Sequence, residues 1–386
     1  MKKIFKALNI LIKTKFVLQK PKEKKIIIFD KNSEIHLAPF FNEEEYTVLH
    51  TRYEILNLYI LISLFFKFKK FNLKNYISEN INLIKPKFIF TFIDNNISFY
   101  ELKKIHKEIK FIAIQNGTRF ITGDILETLI KEKKNYIVDY YFTFNQSYSK
   151  MMGKYLKGNY VTIGSMKNNL FEISKKYQKG SLCYISRMSD VFLHYSETLD
   201  VNKIKSHYKH WEVELLNYTI SLIKNINLYC NSKNIKLNIL GSSPNSMLEK
   251  NLFKNLIPEN SFNFFPKKEV YDSYRKIDQF EVLINPMSTF GYEAIAREKK
   301  VSFFSGDFIE GSSFIWPLSN NKKGNFFSNS NKIHEVTRIL DYLLELDDSK
   351  WMDEIIPYKE KLFSYDRDNS KFKNFLTVNG ITNKKQ

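Results

Sequence analysis

The sequence predicts an α/β protein made of two doubly wound, Rossmann-like domains that face a central cleft. Short apolar runs alternate with helical patterns, which is typical of βαβ units and a parallel sheet. A polar break near residues 165–180 interrupts this alternation, which then restarts. The length of 386 residues also exceeds that of one typical domain. We therefore expect one domain over residues 1–170 and a second over residues 171–386, the latter closed by C-terminal helices.

In the first half, each apolar run predicts a strand whose polar end faces the cleft. The predicted strands are "KKIIIFD", "KFIFTFID", "KFIAIQNG", "VDYYFTF" and "NYVTIGS", and the helical patterns between them include "SFYELKKIHKEI", "DILETLIKEKK" and "SYSKMMGKYLK". One further segment, Ile55–Phe66, is apolar nearly all round but too short to span a bilayer. We expect it to form a buried helix.

The second half repeats the alternation. The predicted strands are "LCYISRMS", "KLNILGSS", "NFFPKK", "EVLINPM" and "VSFFSG", and the predicted helices include the long segment "HWEVELLNYTISLIKNINLYCNSKN" and two closing stretches near residues 334–346 and 352–363. In open α/β sheets, ligands bind in the crevice at the carboxyl ends of the strands. Polar residues that follow a predicted strand are therefore the candidates for a functional site.

Composition limits the classes of partner. The chain has 60 Lys and Arg against 41 Asp and Glu, a net charge of +19, which favours anionic lipid, nucleic acid or anionic substrates. The basic residues are spread along the chain and no nucleic-acid-binding motif is present, so no nucleic acid is expected. The two cysteines, Cys183 and Cys230, predict neither a disulfide framework nor a thiolate metal site, which suits the cytoplasm.

The N-terminal segment carries basic residues in an apolar context. "MKKIFKALNILIKTKFVLQKPKEKK" lacks an uninterrupted apolar stretch and a small-residue cleavage site, so it is not read as a signal peptide. It fits either an amphipathic segment that lies on an anionic membrane or a helix packed on the body of the protein. Together with the lysines of segment 67–70, it predicts peripheral association with the inner-leaflet surface.

One stretch of the second half has the features of a phosphate site. After the strand "EVLINP", Ser288 and Thr289 occupy helix N-cap positions, where free N–H groups and the helix dipole favour an anion. Gly291 allows a close backbone approach, and Glu293 can accept hydrogen bonds from ribose hydroxyls. An ordinary helix cap would have the same residues. A second small polar turn, Gly241–Ser243, strengthens the prediction of nucleotide binding.

The remaining second-half candidates follow its first strand. Ser186 and Arg187 come after "LCYI", where the guanidinium could hold a phosphate or a carboxylate. Neither a P-loop nor a dinucleotide-binding glycine motif is present. His207 and His210 lack a carboxylate partner pattern, so no metal site is expected.

Polar residues also follow two strands of the first half. These candidates for sugar or acceptor binding are Asn95, Gln115, Asn116, Gly117 and Arg119. Asp94 and Asp124 are candidates for the catalytic carboxylate, as nucleophile or general base. Either aspartate could instead only cap a turn or a helix.

Several stretches resemble a known family. "FIAIQNGTRF", "YVTIGSMKNNLF", "STFGYEAIAREKKVSFFSG" and "FIWPLSNNKKGNFFSNS" resemble the bacterial surface-carbohydrate-biosynthesis transferases of lipopolysaccharide and capsule gene clusters, a GT-B-like group. The resemblance covers residues 24–351, and a more distant one relates the chain to retaining Kdo transferases. The "NPM" segment before Ser288 departs from the acidic–apolar pair common in the family.

The resemblance implies a GT-B glycosyltransferase of O-antigen or capsule biosynthesis. It implies an acceptor, either a glycan or a lipid-linked glycan, in the first domain. A nucleotide-sugar donor, first of all a CMP-activated ulosonic acid, would lie in the second, without metal or other cofactor. The alternatives are a CDP-alditol phosphotransferase, a non-catalytic membrane-associated protein and a nucleic-acid-binding protein.

Overall fold

The computed structural model describes residues 14–52, 54–132 and 135–381, and these residues contain two six-stranded parallel sheets. The first part of the chain contains β1 (Lys15–Val17), β2 (Ile26–Phe29), α1 (Lys31–Leu37), β3 (Tyr46–Leu49), β4 (Ile55–Asn57), α2 (Leu58–Phe66), α3 (Leu73–Ile84), β5 (Phe88–Thr91), α4 (Ile97–Ile105), β6 (Lys110–Ile114), α5 (Ile125–Glu132), β7 (Tyr136–Thr143), α6 (Gln146–Met152) and β8 (Leu156–Thr162). Short 3-10 turns cover Ala38–Phe40 and Asn168–Leu170.

The second part repeats the alternation with longer helices. It contains β9 (Gln178–Ile185), α7 (Asp190–Thr198), α8 (Val201–Ile204), α9 (His210–Ser232), β10 (Leu237–Leu240), α10 (Ser246–Leu256), β11 (Phe262–Phe265), α11 (Asp272–Lys276), β12 (Phe280–Asn285), α12 (Thr289–Ala296), β13 (Lys300–Phe304), β14 (Phe327–Ser328), α13 (Ile333–Glu345), α14 (Asp348–Leu362) and α15 (Ser370–Val378). Three further 3-10 turns are Glu259–Ser261, Ile277–Gln279 and Arg367–Asn369.

The two sheets are both parallel but differ in strand order. The first has the order β3-β2-β5-β6-β7-β8, and the second has the order β11-β10-β9-β12-β13-β14. In chain order within each sheet, these are the 2-1-3-4-5-6 and 3-2-1-4-5-6 arrangements of doubly wound folds. The expected fold class, two Rossmann-like domains, is therefore confirmed.

The strands are continuous apolar runs because helices cover both faces of each sheet. All four residues of β5 and all six of β12 are buried. Apolar clusters of the first sheet lie on both of its faces, whereas one large cluster of the second sheet gathers strands β9–β13 with α9, α13 and α14.

The last helix returns to the first sheet, which differs from the expectation that all closing helices belong to the second domain. Phe372 and Leu376 of α15 lie in an apolar cluster with Phe90 and Phe142 of the first sheet. The crossing is fixed by a hydrogen bond from Ser364 N–H to the Phe144 carbonyl at 3.2 Å. The division into residues 1–170 and 171–386 stays a prediction.

The expectation of a buried helix over residues 55–66 is wrong at both ends. The segment begins as β4, which pairs in parallel with β1, and only then becomes α2. Ile60 and Leu64 are buried, but Phe65 and Phe66 are exposed. Helix α2 packs against the first part of the chain along one stripe, so Ile62, Phe65 and Phe66 face solvent.

The N-terminal prediction is tested only in part. Residues 1–13 lie outside the described residues, and residues 15–17 form β1 instead of continuing a helix. In the described part of the chain, no helix is long and apolar enough to cross a membrane.

The two sheets are joined by direct contacts. Thr118 N–H, after β6, donates to Thr289 Oγ1 at 3.0 Å, and Ile121 N–H donates to the Glu310 carbonyl at 3.4 Å. Trp316 lies in an apolar cluster of the first sheet and packs edge-on against Tyr148. These contacts bring the carboxyl ends of both sheets together.

Candidate functional site

A cavity of about 570 Å³ lies between the two sheets, at the carboxyl ends of their strands. Its walls come from loops after β2, β5, β6 and β8 of the first sheet and after β9, β10, β11 and β12 of the second. This volume is in the range of small-molecule and cofactor sites in proteins. The cleft expected between the two sheets is therefore present as a formed cavity.

The second sheet contributes its topological switch point. Strand order reverses between β9 and β12, and the crevice at such a reversal is the usual ligand site of a doubly wound sheet. Ser186 and Arg187 follow β9, Ser288 and Thr289 follow β12, and all four line the cavity. The structure thus brings together two sets of predicted residues that are about 100 positions apart.

The start of α12 is an N-terminal cap that faces the cavity. The Ser288 hydroxyl accepts from Phe290 N–H at 3.3 Å, and Asn285 Oδ1 accepts from Ser288 N–H at 2.9 Å. Thr289 Oγ1 is engaged by Thr118 of the first sheet. Thus Ser288 fixes the helix end, and Thr289 fixes the relative position of the two sheets.

Gly291 serves a purpose different from the one expected. It does not line the cavity, and a Cβ at this position would lie 2.2 Å from Asn285 Cγ. The glycine therefore makes room for the Asn285 side chain, which holds the Ser288 N–H and carbonyl, and not for a ligand.

Glu293 lines the cavity but is only 4% exposed. Its Oε2 accepts from the Tyr274 hydroxyl at 2.6 Å, its Oε1 accepts from the Ser165 hydroxyl, and Lys167 Nζ lies 3.7 Å away. Burial and the Glu293 carboxylate hold the pKa of Tyr274 well above its ordinary value. This carboxylate joins the two sheets and keeps Lys167 at the cavity wall.

The Gly241–Ser243 turn already holds an internal anion. Glu249, from α10, is completely buried and accepts from Ser242 N–H at 3.0 Å and from Ser243 N–H at 3.0 Å. The Ser186 and Ser242 hydroxyls donate to the same carboxylate. Gly241 and Ser242 line the cavity, whereas Ser243 does not. The backbone N–H groups of the turn, which were expected to bind phosphate, thus bind a carboxylate of the protein itself.

Unpaired cations line the same side of the cavity. Arg187 Nη1 is buried without a hydrogen-bond partner among the described residues, and burial lowers the pKa of this guanidinium. Lys267, which follows β11, has no carboxylate within ion-pair distance in the described part of the chain. Burial and the nearby Lys167 lower the pKa of Lys267. These groups could neutralise an anion bound in the cavity.

His36 adds a neutral group beside those lysines. Burial, with a contribution from Lys167 and Lys267, lowers the pKa of His36 to about 4. Its Nδ1 lies 3.1 Å from the Tyr271 hydroxyl, and its ring packs on Phe92. Sequence reasoning missed His36 and Lys167, which follow predicted strands, and Lys267, which lies near the end of the predicted strand "NFFPKK".

Asp94 is buried beneath the cavity and does not line it. Its carboxylate accepts from Arg119 Nε at 2.9 Å, from Arg119 Nη2, from the Tyr141 hydroxyl and from Asn116 N–H at 3.0 Å. Burial alone would lower the pKa of Arg119, but Asp94 and then Asp124 hold it well above its ordinary value. These bonds use the hydrogen-bonding capacity of Asp94, so its geometry fits the positioning of Arg119.

Of the five other candidates in the first part of the chain, four line the cavity and one bonds to the backbone. Asn95, Asn116, Gly117 and Arg119 line the cavity. Gln115 does not, because its side chain donates to the Gly117 carbonyl and accepts from Phe144 N–H, both at 2.9 Å. Gln115 therefore shapes the loop that carries the other candidates.

Asp124 lines the cavity directly before α5. Its Oδ1 accepts from Ile125 N–H at 2.7 Å, and its Oδ2 lies 3.4 Å from Arg119 Nη1. The side chain retains 11% exposure. Of the two aspartates predicted as catalytic, Asp124 is the one whose carboxylate reaches the cavity.

No group of three or more histidine, cysteine or acidic side chains in the described ranges is arranged to hold a metal ion. The charged groups that can neutralise a bound anion are the arginines and lysines described above.

Comparison with solved structures shows that the fold is shared with proteins of low sequence identity. No curated protein matches the chain in sequence. UDP-GlcNAc 2-epimerase from Methanocaldococcus jannaschii has 10% identity and a TM-score of 0.53, over 92% of this chain and 99% of that one. S. aureus MnaA bound to UDP has 12% identity and a TM-score of 0.52, over 92% and 97%. These similarities show a shared fold.

A glycosyltransferase is similar over part of its length. The pneumococcal O-GlcNAc transferase GtfA, bound to UDP and GlcNAc, has 13% identity and a TM-score of 0.45, over 79% of this chain. The chain spans only 60% of the length of that transferase.

A family model identifies the chain more directly. The model described as "putative O-antigen biosynthesis protein" matches residues 112–379, which is more than half of the chain. The matched region contains the loop after β6, the start of α12 and the whole second sheet. It confirms the resemblance to surface-carbohydrate-biosynthesis families: the chain belongs to this family of O-antigen biosynthesis proteins.

Proposed function

We propose that the protein is a metal-independent glycosyltransferase that moves a sugar from a nucleotide-activated donor to a glycan or lipid-linked acceptor. The cavity with unpaired cations at the switch point of the second sheet carries this proposal. Membership of the O-antigen biosynthesis family supports it, because O-antigens are assembled by sugar transfer.

The second sheet would bind the donor. Arg187 and Lys267 can neutralise the phosphate of the donor, and the N-terminus of α12 at Ser288 adds a favourable dipole. As the sugar–phosphate bond breaks, negative charge grows on the departing phosphate, and fixed cations stabilise that charge. This assigns to lysine and arginine the role that a metal ion has in other transferases.

The first sheet would supply the acceptor side and the base. Asp124 can accept the proton of the acceptor hydroxyl as its oxygen bonds to the sugar carbon, and Arg119 keeps the carboxylate in place. Asn95 and Asn116 can donate hydrogen bonds to sugar hydroxyls. Asp94 acts through Arg119 as a positioning residue.

A CMP-activated ulosonic acid is the first candidate donor. Such a donor carries both a phosphate and a sugar carboxylate, and the cavity is lined by several cations that could bind them, namely Arg119, Lys167, Arg187 and Lys267. Peripheral association with an anionic inner-leaflet surface would bring the enzyme to a lipid-linked acceptor, and the net charge of +19 supports this location.

Nucleotide binding by matched lysine variants tests the site. Lys267 lines the cavity, whereas the adjacent Lys268 is exposed and does not. The affinity for the preferred nucleotide, chosen from CMP, CDP, UDP and GDP by thermal stabilisation, should fall about tenfold or more in Lys267→Met and in Arg187→Met, as expected for a lost hydrogen bond to a charged group. Lys268→Met should bind like the wild type. Equal affinity in all four proteins would contradict the donor site.

Product analysis tests the reaction. A glycosyltransferase releases the nucleotide and joins the sugar to the acceptor by a glycosidic bond without adding phosphate, whereas a CDP-alditol phosphotransferase adds an alditol phosphate through a phosphodiester. A 2-epimerase, the activity named for the similar M. jannaschii structure, converts a UDP-sugar without an acceptor. Mass spectrometry of the product, with and without acceptor, separates the three, and either of the last two results would replace the proposal.

A further inference from the structure

Four phenylalanines are exposed in the seven-residue segment Phe65–Phe71, which we call the phenylalanine loop. Phe65, Phe66, Phe68 and Phe71 are 64%, 73%, 98% and 61% exposed. The segment includes the end of α2 and leads to the start of α3. Large apolar groups exposed together mark a surface that contacts a partner or a membrane.

The fold holds this loop in a conformation that turns a ring outward. Glu79 of α3 is completely buried, and its carboxylate lies 2.6 Å from Lys67 Nζ and 3.6 Å from Lys69 Nζ. These ion pairs draw the two lysines toward the body of the protein. Phe68, between them, has a φ of 52°, a left-handed conformation that a phenylalanine rarely adopts, and its side chain is almost fully in solvent. The exposure of Phe68 is thus part of a defined loop structure.

Charge indicates what covers the phenylalanine loop. Residues 62–75 contain four lysines and no acidic residue. Lys67 and Lys69 share the single carboxylate of Glu79, Lys74 Nζ lies 3.7 Å from Glu101 Oε2, and Lys70 has no ion pair among the described residues. A second copy of the chain would bring two sets of these lysines together, in a protein whose net charge is already +19. Phosphate headgroups attract lysine, and the acyl boundary beneath them accepts aromatic rings.

We propose that the phenylalanine loop inserts into the interface of an anionic bilayer. The four rings enter the acyl boundary, while Lys70 contacts lipid phosphates and the ion pairs with Glu79 hold Lys67 and Lys69 against the protein. This mode adds an apolar contribution to the electrostatic attraction expected from the basic residues alone. It does not depend on the transferase reaction, so either proposal can fail while the other stands.

Vesicle binding by the full chain tests the insertion. Binding to phosphatidylcholine vesicles that contain one-third phosphatidylglycerol should fall about tenfold or more in the double variant Phe66→Ser/Phe68→Gly. The variant lacks two of the rings that the bilayer would bury. Glycine suits the left-handed φ at position 68, so the fold is preserved. Met247→Ser, at a position that is 74% exposed in the second part of the chain, is the matched control and should bind like the wild type.

A tryptophan variant reports directly whether position 68 enters the bilayer. In Phe68→Trp, vesicles with brominated acyl chains should quench the new tryptophan, whereas in Met247→Trp they should not. Unchanged binding of the double variant, or the absence of quenching at position 68, would overturn the proposal. Sedimentation that shows a wild-type dimer and a monomeric double variant, with equal vesicle binding, would assign the loop to a second copy instead.

Discussion

The turn at Gly241–Ser243 and the helix start at Ser288–Gly291 have similar small, polar compositions but different uses. In the first, the backbone N–H groups of Ser242 and Ser243 already bind the internal carboxylate of Glu249. In the second, Ser288 caps its helix at the wall of the cavity, beside the unpaired Arg187. A small polar turn after a strand does bind an anion, but the anion can belong to the protein itself.

The first sheet contains the same contrast between its two candidate aspartates. Asp94 is saturated by Arg119, Tyr141 and Asn116, whereas Asp124 reaches the cavity. We therefore expect the internally paired carboxylates to affect stability and the cavity carboxylates to affect turnover.

The largest effect is expected at Asp94. Asp94→Asn should lower the free energy of unfolding by about 3–5 kcal/mol, because it leaves the buried Arg119 without its main counter-charge. Asp124→Asn should cost about 1 kcal/mol, since an asparagine also suits the position before a helix, but should reduce turnover by about 10²–10⁴-fold. Urea unfolding and steady-state rates measure the two effects. A stable Asp94→Asn variant without turnover, beside an active Asp124→Asn variant, would reverse the assignment.

A smaller effect is expected at the turn that holds Glu249. Glu249→Gln should destabilise the protein by about 2–4 kcal/mol, because the amide cannot accept from all the donors around the carboxylate. Ser288→Ala, which removes only a helix cap, should cost about 1 kcal/mol. Urea unfolding of both variants checks the ranking. If Glu249→Gln is the more stable of the two, the carboxylate does not hold the turn.

The smallest effect is a pH dependence at the cavity. The pKa of His36 is lowered to about 4, so between pH 4 and 6.5 the unfolded chain binds more protons than the native protein, and stability rises with pH. From pH 7 to pH 5 the wild type should lose about 2 kcal/mol more than His36→Gln. Urea titrations of both proteins at the two values measure the difference. Parallel losses would show that the pKa of His36 is not lowered in the native protein.

The sequence was informative wherever a feature depends on local pattern. Buried runs such as "EVLIN" predicted parallel strands, and Ser288 was recognised as a helix cap from its position alone. The positions of Arg187 and Asp124 after strands also placed them at the cavity. The same rule could have included His36, Lys167 and Lys267, which were passed over because an isolated basic residue carries no motif.

Pairing over long sequence distances could not be predicted. Side-chain packing was also not predicted at short range, since Gly291 accommodates Asn285 and Glu249 fills the turn at Ser242. Asp94 meets Arg119 and Tyr141 only because β5, β6 and β7 are adjacent in the sheet. The last helix crosses to the first sheet through contacts about 220 residues apart, such as Ser364 with Phe144.

By itself, the sequence determined the alternation of strands and helices, the positive charge and the placement of polar residues at strand ends, because these follow from the order of side chains along the backbone. The tertiary structure decided which of those residues remain available to a ligand. That outcome depends on which neighbour satisfies each buried polar group, as Glu249 does for one turn and Asp94 does for Arg119. It also decided that α2 ends in exposed phenylalanines, next to two lysines that pair with the buried Glu79.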